Sequence, residues 1–202
     1  MKKISKYKLK KISKNLDYFF NLANDNEIKQ GLNWYKNANN KVLKISKKYD
    51  IDVFKVAQVV SVLSPRNKWE RNLQDADTVC KAFKDGKGFE DVKVCTFTKN
   101  KIKAFRILDD KIQITDKSLK TYNFVNNIAY PNNNNFLTVD IWHLRACFNK
   151  SIKIDSASIG RIAYGQIKDL TTKKALKLGI NPCKFQAIIW IAAQNNLTTK
   201  EL

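Results

Sequence analysis

Two residues that do chemistry on carbon stand twenty positions apart. Lys120 lies in Leu119-Lys-Thr-Tyr-Asn-Phe-Val-Asn-Asn-Ile128, and Asp140 in Leu137-Thr-Val-Asp-Ile-Trp-His-Leu-Arg-Ala-Cys147. A lysine that loses its proton is a nucleophile able to form a Schiff base with a sugar carbon. A carboxylate kept ionised at the mouth of a helix stabilises an oxocarbenium-like sugar or activates a nucleophile, as in glycosidic cleavage. Each residue also has a plainer reading. Aspartate at a helix start is an ordinary N-cap, favoured by the helix dipole. One lysine among 38 basic residues is a solvated side chain or a phosphate contact.

The setting gives the pair its meaning. The 202 residues carry 38 Lys and Arg against 18 Asp and Glu, a formal net charge of +20. An excess of that size has to sit on the surface, because unpaired buried charge is too costly. Its natural partner is a polyanion, nucleic acid or an anionic membrane. The alternative is a composition rich in Lys, Asn and Ile that reflects an AT-biased genome. An amine and a carboxylate on a polycationic scaffold suit chemistry on a sugar carbon of DNA, so double-stranded DNA is the expected partner. Cys80, Cys95, Cys147 and Cys183 form no C-x-x-C pair and His143 is the only histidine, so neither a metal nor another cofactor is expected. No apolar run approaches bilayer length and the Lys-rich start lacks a signal-peptide core. The expectation is therefore a soluble, cytoplasmic monomer with reduced thiols, and the small size and lysine bias suit a virus or a small-genome bacterium.

The elements that must position these residues read as helices. Only 6 Gly and 3 Pro interrupt the chain, and an apolar fraction of 44% supplies a packed interior. Residues 1 to 14 read as a basic helix or a frayed arm, Asn15 to Ala23 as a short buried helix, and Gly31 to Tyr49 as a third element with Trp34 and Tyr35 in the core. Val53 to Leu63 is almost continuously apolar; β-branched content favours a strand, but length and isolation favour a central buried helix. Ser64-Pro65 resembles a cap and first-turn proline for a helix through Trp69 and Phe83. Further helices are expected over Lys99 to Leu108, from Ser118 to the break at Pro131–Asn135, from Asp140 through Ala146, and over Ser156 to Leu170, Thr171 to Leu178 and Pro182 to Ala193. His143, lone and beside apolar residues, reads as packed, and Arg145 as structural.

The order of these segments resembles the helix-hairpin-helix DNA glycosylases of the endonuclease III type. Val139-Asp-Ile-Trp-His-Leu-Arg-Ala-Cys147 is similar to the family's Val-Asp-Thr-His-Ile-Phe-Arg-Val-Cys string at Val139, Asp140, Arg145 and Cys147. Lys120-Thr-x-Asn123 looks like its Lys-Thr-x-Asn helix opening, Val60-Ser-Val-Leu-Ser64 like its apolar helix ending in Leu-Ser, and Lys101-x-Lys-Ala-x-x-Ile-Leu108 like its Lys-Ala-x-x-Ile stretch. The likeness covers roughly residues 50 to 150. It implies an all-α, two-lobed domain over 1–202 with a cleft between lobes: one lobe about 50–120, with a hairpin-like region at 109–130, and the other 1–49 plus 131–202.

The resemblance further implies excision of a damaged or modified base, extruded into a pocket. Asp140 would stabilise the sugar cation, and Lys120 would attack and give an imine with strand cleavage. If the longer Lys-to-Asp interval is not absorbed by the Pro131–Asn135 loop, Tyr122 takes the lysine's place and water attacks instead. Arg66 and Asn67 in Ser64-Pro-Arg-Asn-Lys68-Trp69 would fill the emptied stack and Trp69 would stack on the base, its alternative being core packing. Lys101 and Lys103 would ride the phosphates. The family's Leu-Pro-Gly-Val-Gly hairpin is replaced by glycine-free Ile114-Thr-Asp-Lys-Ser-Leu119, leaving Lys117 and Ser118 to hold phosphate in place of backbone N–H groups. That departure favours, as the alternative, a non-catalytic DNA-binding protein.

Overall fold

A computed structural model describes residues 3–150 and 159–197. Its elements are α1 (Lys6–Leu22), α2 (Asp25–Tyr49), α3 (Val53–Leu63), α4 (Trp69–Lys84), α5 (Thr98–Leu108), a 3-10 turn (Asp116–Ser118), α6 (Leu119–Ala129), α7 (Ile141–Phe148), α8 (Arg161–Lys177) and α9 (Pro182–Leu197). The described residues are all-α, without a β-strand. None of the helices is long and apolar enough to cross a membrane.

Helix starts follow local caps, and these account for the departures from the expected boundaries. Ser5 Oγ accepts the Lys8 N–H, and from there one helix runs unbroken through Asn15 to Leu22. The basic stretch and the buried segment are thus one element, and Asn15 donates its amide to the Cys147 carbonyl at 2.8 Å instead of opening a helix. α2 begins six residues before Gly31 because Asn24 and Glu27 form a reciprocal capping box, each side chain accepting the other's N–H at 2.9 and 3.0 Å. Ser64 does not cap α4. It ends α3, its hydroxyl donating to the Ser61 carbonyl at 2.9 Å, and α4 opens only at Trp69. Thr171 opens no helix either, being buried inside α8, with its hydroxyl donating to the Ile167 carbonyl. The helix start expected at Ser156 lies outside the described residues.

The chain divides into two units, residues 1–35 with 132–202 and residues 36–131, so the division falls within α2 instead of after Tyr49. In the second unit α3 is the axis, against which α4, α5 and α6 each pack. Val56 to Leu63 are all buried, which explains an apolar run without amphipathic periodicity. Three amides tie neighbours to this axis and to the ends around it. Asn72 donates to the Val60 carbonyl at 3.0 Å, Gln58 accepts the Ile114 N–H at 2.7 Å, and Asn39 caps the last turn of α6 through the Ile128 carbonyl at 2.9 Å.

Within 109–130, between α5 and the break at Pro131, the chain makes one 3-10 turn and then α6. Among the described residues α5 and α6 meet α3 far more than each other. In glycine-free Ile114–Leu119 the Ile114 N–H is anchored on Gln58, Asp116–Ser118 form the 3-10 turn and Leu119 opens α6.

In the first unit α9 is the buried element, packed by α1, α7 and α8. Gly31 permits its closest approach: a Cβ there would sit 2.6 Å from the Ile188 backbone. Tyr35 Oη donates to Gln186 at 3.1 Å, and the Trp34 and Trp190 rings meet edge to face at 5.3 Å.

Candidate nucleic-acid interface and carboxylate

A buried carboxylate organises the surface of the second unit. Asp75 occupies the core-facing side of α4 with Asn72, Ala76 and Val79, and is 2% exposed. It accepts three donors: Arg71 Nε at 2.9 Å on one oxygen, and Asn67 Nδ2 at 2.8 Å and the Cys95 N–H at 3.0 Å on the other. These three donors satisfy both oxygens, as a buried polar group requires. The geometric consequence is that two loops, 64–68 and 89–97, are fastened to one helix.

Between those loops sits an exposed cationic and aromatic patch. Arg66 is exposed and adopts a left-handed φ of +61°, held there on one side by the Asn67–Asp75 bond. Its guanidinium lies 5.7 Å from the centroid of the Phe97 ring, and Lys99 Nζ lies at the same distance. Phe97, the residue before α5, is 45% exposed with both cations near its ring. Lys68 is exposed beside this loop and Trp69 is half-buried at the start of α4. Such a surface offers a π-face to an unpaired base and positive charge to its phosphates.

The other expected contacts divide. Lys103 is exposed, whereas Lys101 donates to the Val92 carbonyl at 2.8 Å and so holds the 89–97 loop. Lys117 and Ser118 are exposed in the 3-10 turn, and Lys120 is exposed on the first turn of α6. Tyr122 is half-buried on the same turn.

Asp140 belongs to the first unit. It caps α7, accepting the His143 N–H at 2.8 Å, and is half-buried behind the fully buried Leu137, Thr138 and Val139. That segment is gripped by α8: Tyr164 Oη accepts the Val139 N–H at 3.1 Å and donates to the Leu137 carbonyl at 3.2 Å. One turn on, Lys168 Nζ stands 5.9 Å from the centroid of Phe136. Burial pulls its pKa below the ordinary lysine value, against the opposing charge of Asp169. Lys168 is thus a partly desolvated lysine of this unit.

A further turn along, Thr171 meets His143. The threonine donates its single hydrogen to Ile167, so it must accept from His143 Nε2 at 3.0 Å, which assigns the Nε2–H tautomer. Nδ1 is then a buried acceptor without a partner, and burial lowers the imidazole pKa to about 4. His143 is a packing residue, neutral at physiological pH. Its neighbour Arg145 stacks 4.1 Å over the Trp142 ring. The thiols of Cys80 and Cys183 are pushed up to about 12 by burial, and that of Cys147 higher still, with Asp140 adding to the effect.

Three participants escaped the sequence reading. Phe97 precedes a polar helix start and carries no motif. Asp75 had a usable signal, a carboxylate at the i+3 and i−4 positions of the buried Asn72 and Val79. Lys168 had none, since its burial arises from a segment thirty positions upstream.

The described chain is thus an all-helical protein with a buried-carboxylate-braced cationic patch and a capped, half-buried aspartate. It belongs to a family of unknown function (DUF7178), whose signature spans residues 1–197. No curated protein and no solved structure matches it.

Proposed function

We propose that the protein binds double-stranded DNA and cleaves the N-glycosidic bond of an extruded damaged or modified base, on a helix-hairpin-helix glycosylase-like framework. The observation that carries this reading is the Arg66–Phe97–Lys99 patch, which gives the +20 charge a defined place to meet bases as well as phosphates. Arg66 enters the gap left by the extruded nucleotide and Phe97 stacks on its neighbour. Lys68, Trp69 and Lys103 extend the contact, and Asn67 serves as the anchor that keeps Arg66 presented.

Asp140 supplies the chemistry. The C1′–N bond breaks with its electron pair leaving on the base, and the carboxylate stabilises the positive charge that grows at the sugar. Water adds to C1′, one of its protons passing to the departing base. Exposure of Lys120 favours this hydrolytic branch over an imine at that residue, because a Schiff-base lysine is normally activated by desolvation.

A second reading, DNA binding without base release, is favoured by the absence of glycine from Ile114–Leu119. One assay separates the two: duplexes holding uracil, oxidised, alkylated or hypermodified bases are incubated with the protein and treated with borohydride. Base release without a trapped adduct is the expected result. An adduct lost in Lys120→Ala or in Lys168→Ala would assign an imine to that residue. Binding with no release from any duplex would leave the second reading standing.

A further inference from the structure

The exposed side of α1 carries charge that the fold itself does not use. Ile12, Leu16 and Phe19 are buried, and the opposite face presents Lys6, Lys10 and Lys14 at i+4 intervals with Lys11, Tyr7 and Tyr18 beside them. All four lysines are exposed and none of them has an ion pair among the described residues. Their placement works against the helix: like charges at i+4 repel, and the first turn holds no acidic residue to meet the dipole. Tyr7 stands among them at 79% exposure, the most exposed large apolar side chain described.

This face is rigidly held. Gln166 brackets the start of α1, accepting the Ile4 N–H at 2.7 Å and donating to the Ile4 carbonyl at 3.0 Å. Asn15 bonds the Cys147 carbonyl, and Asp17 pairs with Lys174 at 2.5 Å. The lysines therefore ride on a fixed ridge. Residues 6 to 14 span about 12 Å of helix axis, along which Lys6, Lys10 and Lys14 recur about every 6 Å, an evenly spaced row of cations for a phosphate backbone.

We propose that α1 is a second polyanion-binding face, a preorganised ridge that tracks the sugar-phosphate backbone of duplex DNA independently of the Arg66–Phe97 patch. It shares with the proposed function only its partner. A membrane surface is the less fitting occupant, because the apolar face that would enter a bilayer interface is already buried inside the protein.

The test is the triple variant Lys6→Gln/Lys10→Gln/Lys14→Gln, compared with the parent on undamaged duplex DNA across a salt series. Loss of three phosphate contacts is expected to shrink the log–log salt slope by about 2 to 3 and to weaken binding at least about tenfold at 0.1 M salt. The melting temperature should hold or rise, since repulsion is relieved. An unchanged slope and affinity would overturn the ridge and leave base excision untouched. A smaller slope in a protein that releases no base would support the ridge while removing the proposed activity. A fall in melting temperature that matches the loss of binding would show the lysines to be structural, and tighter binding to anionic vesicles or to duplex RNA than to DNA would overturn the choice of partner.

Discussion

Arg66 holds a left-handed backbone, a conformation that costs a non-glycine residue about 1 kcal/mol or more. Asn67, fixed by Asp75, keeps the loop in that form. Arg66→Gly should therefore stabilise the protein by roughly 0.5–1 kcal/mol in denaturant melts while weakening DNA binding and lowering the salt slope by about 1. Phe97→Ala should do something different: affinity for a duplex with an unpaired base drops by about 1–3 kcal/mol and the salt slope stays put, because stacking releases no counterions. If both variants bind like the parent, the patch is ordinary surface.

His143 gives a pH dependence whose sign is fixed by its burial. Its folded pKa, about 4, lies below the unfolded value of 6.5, so the unfolded chain takes up a proton that the native state excludes. The contribution is complete above pH 6.5 and is lost as pH falls towards 4, on the order of 3 kcal/mol across that window. Unfolding free energies from pH 7 to pH 4 should show this slope, and His143→Gln should flatten it. An identical slope in the variant would place the titration elsewhere.

At the scale of elements, Gly31 decides how closely α2 meets α9. A methyl group there meets the Ile188 Cγ1 at 2.5 Å and the Ile188 backbone at 2.6 Å, and no rotamer change relieves the backbone contact. Gly31→Ala should lower the melting temperature by an amount equivalent to at least about 1–3 kcal/mol, in spite of alanine's better helix propensity. A gain in stability would mean the two helices separate cheaply.

Elements were legible where a signal is local. The apolar run of α3, the cap at Asp140 and the break at Pro131–Asn135 are each written in a few adjacent residues. Boundaries failed where one local signal imitated another. Ser64-Pro65 has the residue types of a helix start, yet its hydroxyl serves the helix before it. Thr171 has the residue type of a cap but spends its hydroxyl inside α8. The candidate site was legible in its contiguous loop, Arg66 to Trp69, and in the capping Asp140, but not in Asp75 and Phe97. The bracing carboxylate and Phe97 are 9 and 31 positions from Arg66 in the chain, and only packing brings them together.

For the whole molecule, a net charge of +20 predicts binding that weakens steeply with salt, and an affinity indifferent to salt would count against any nucleic-acid partner. Charge alone does not separate excision from binding; Asp140 does. Asparagine is as good an N-cap as aspartate, so Asp140→Asn keeps an acceptor for the His143 N–H that starts α7 while removing the negative charge. The most direct measurement is release of free base from a duplex panel by the parent and by Asp140→Asn, with DNA affinity and melting temperature followed in parallel. Release by the parent, lost at least about a hundredfold in a variant that still folds and binds, is the expected result. Release that survives the substitution, or none from the parent on any duplex, would contradict a catalytic role for this carboxylate.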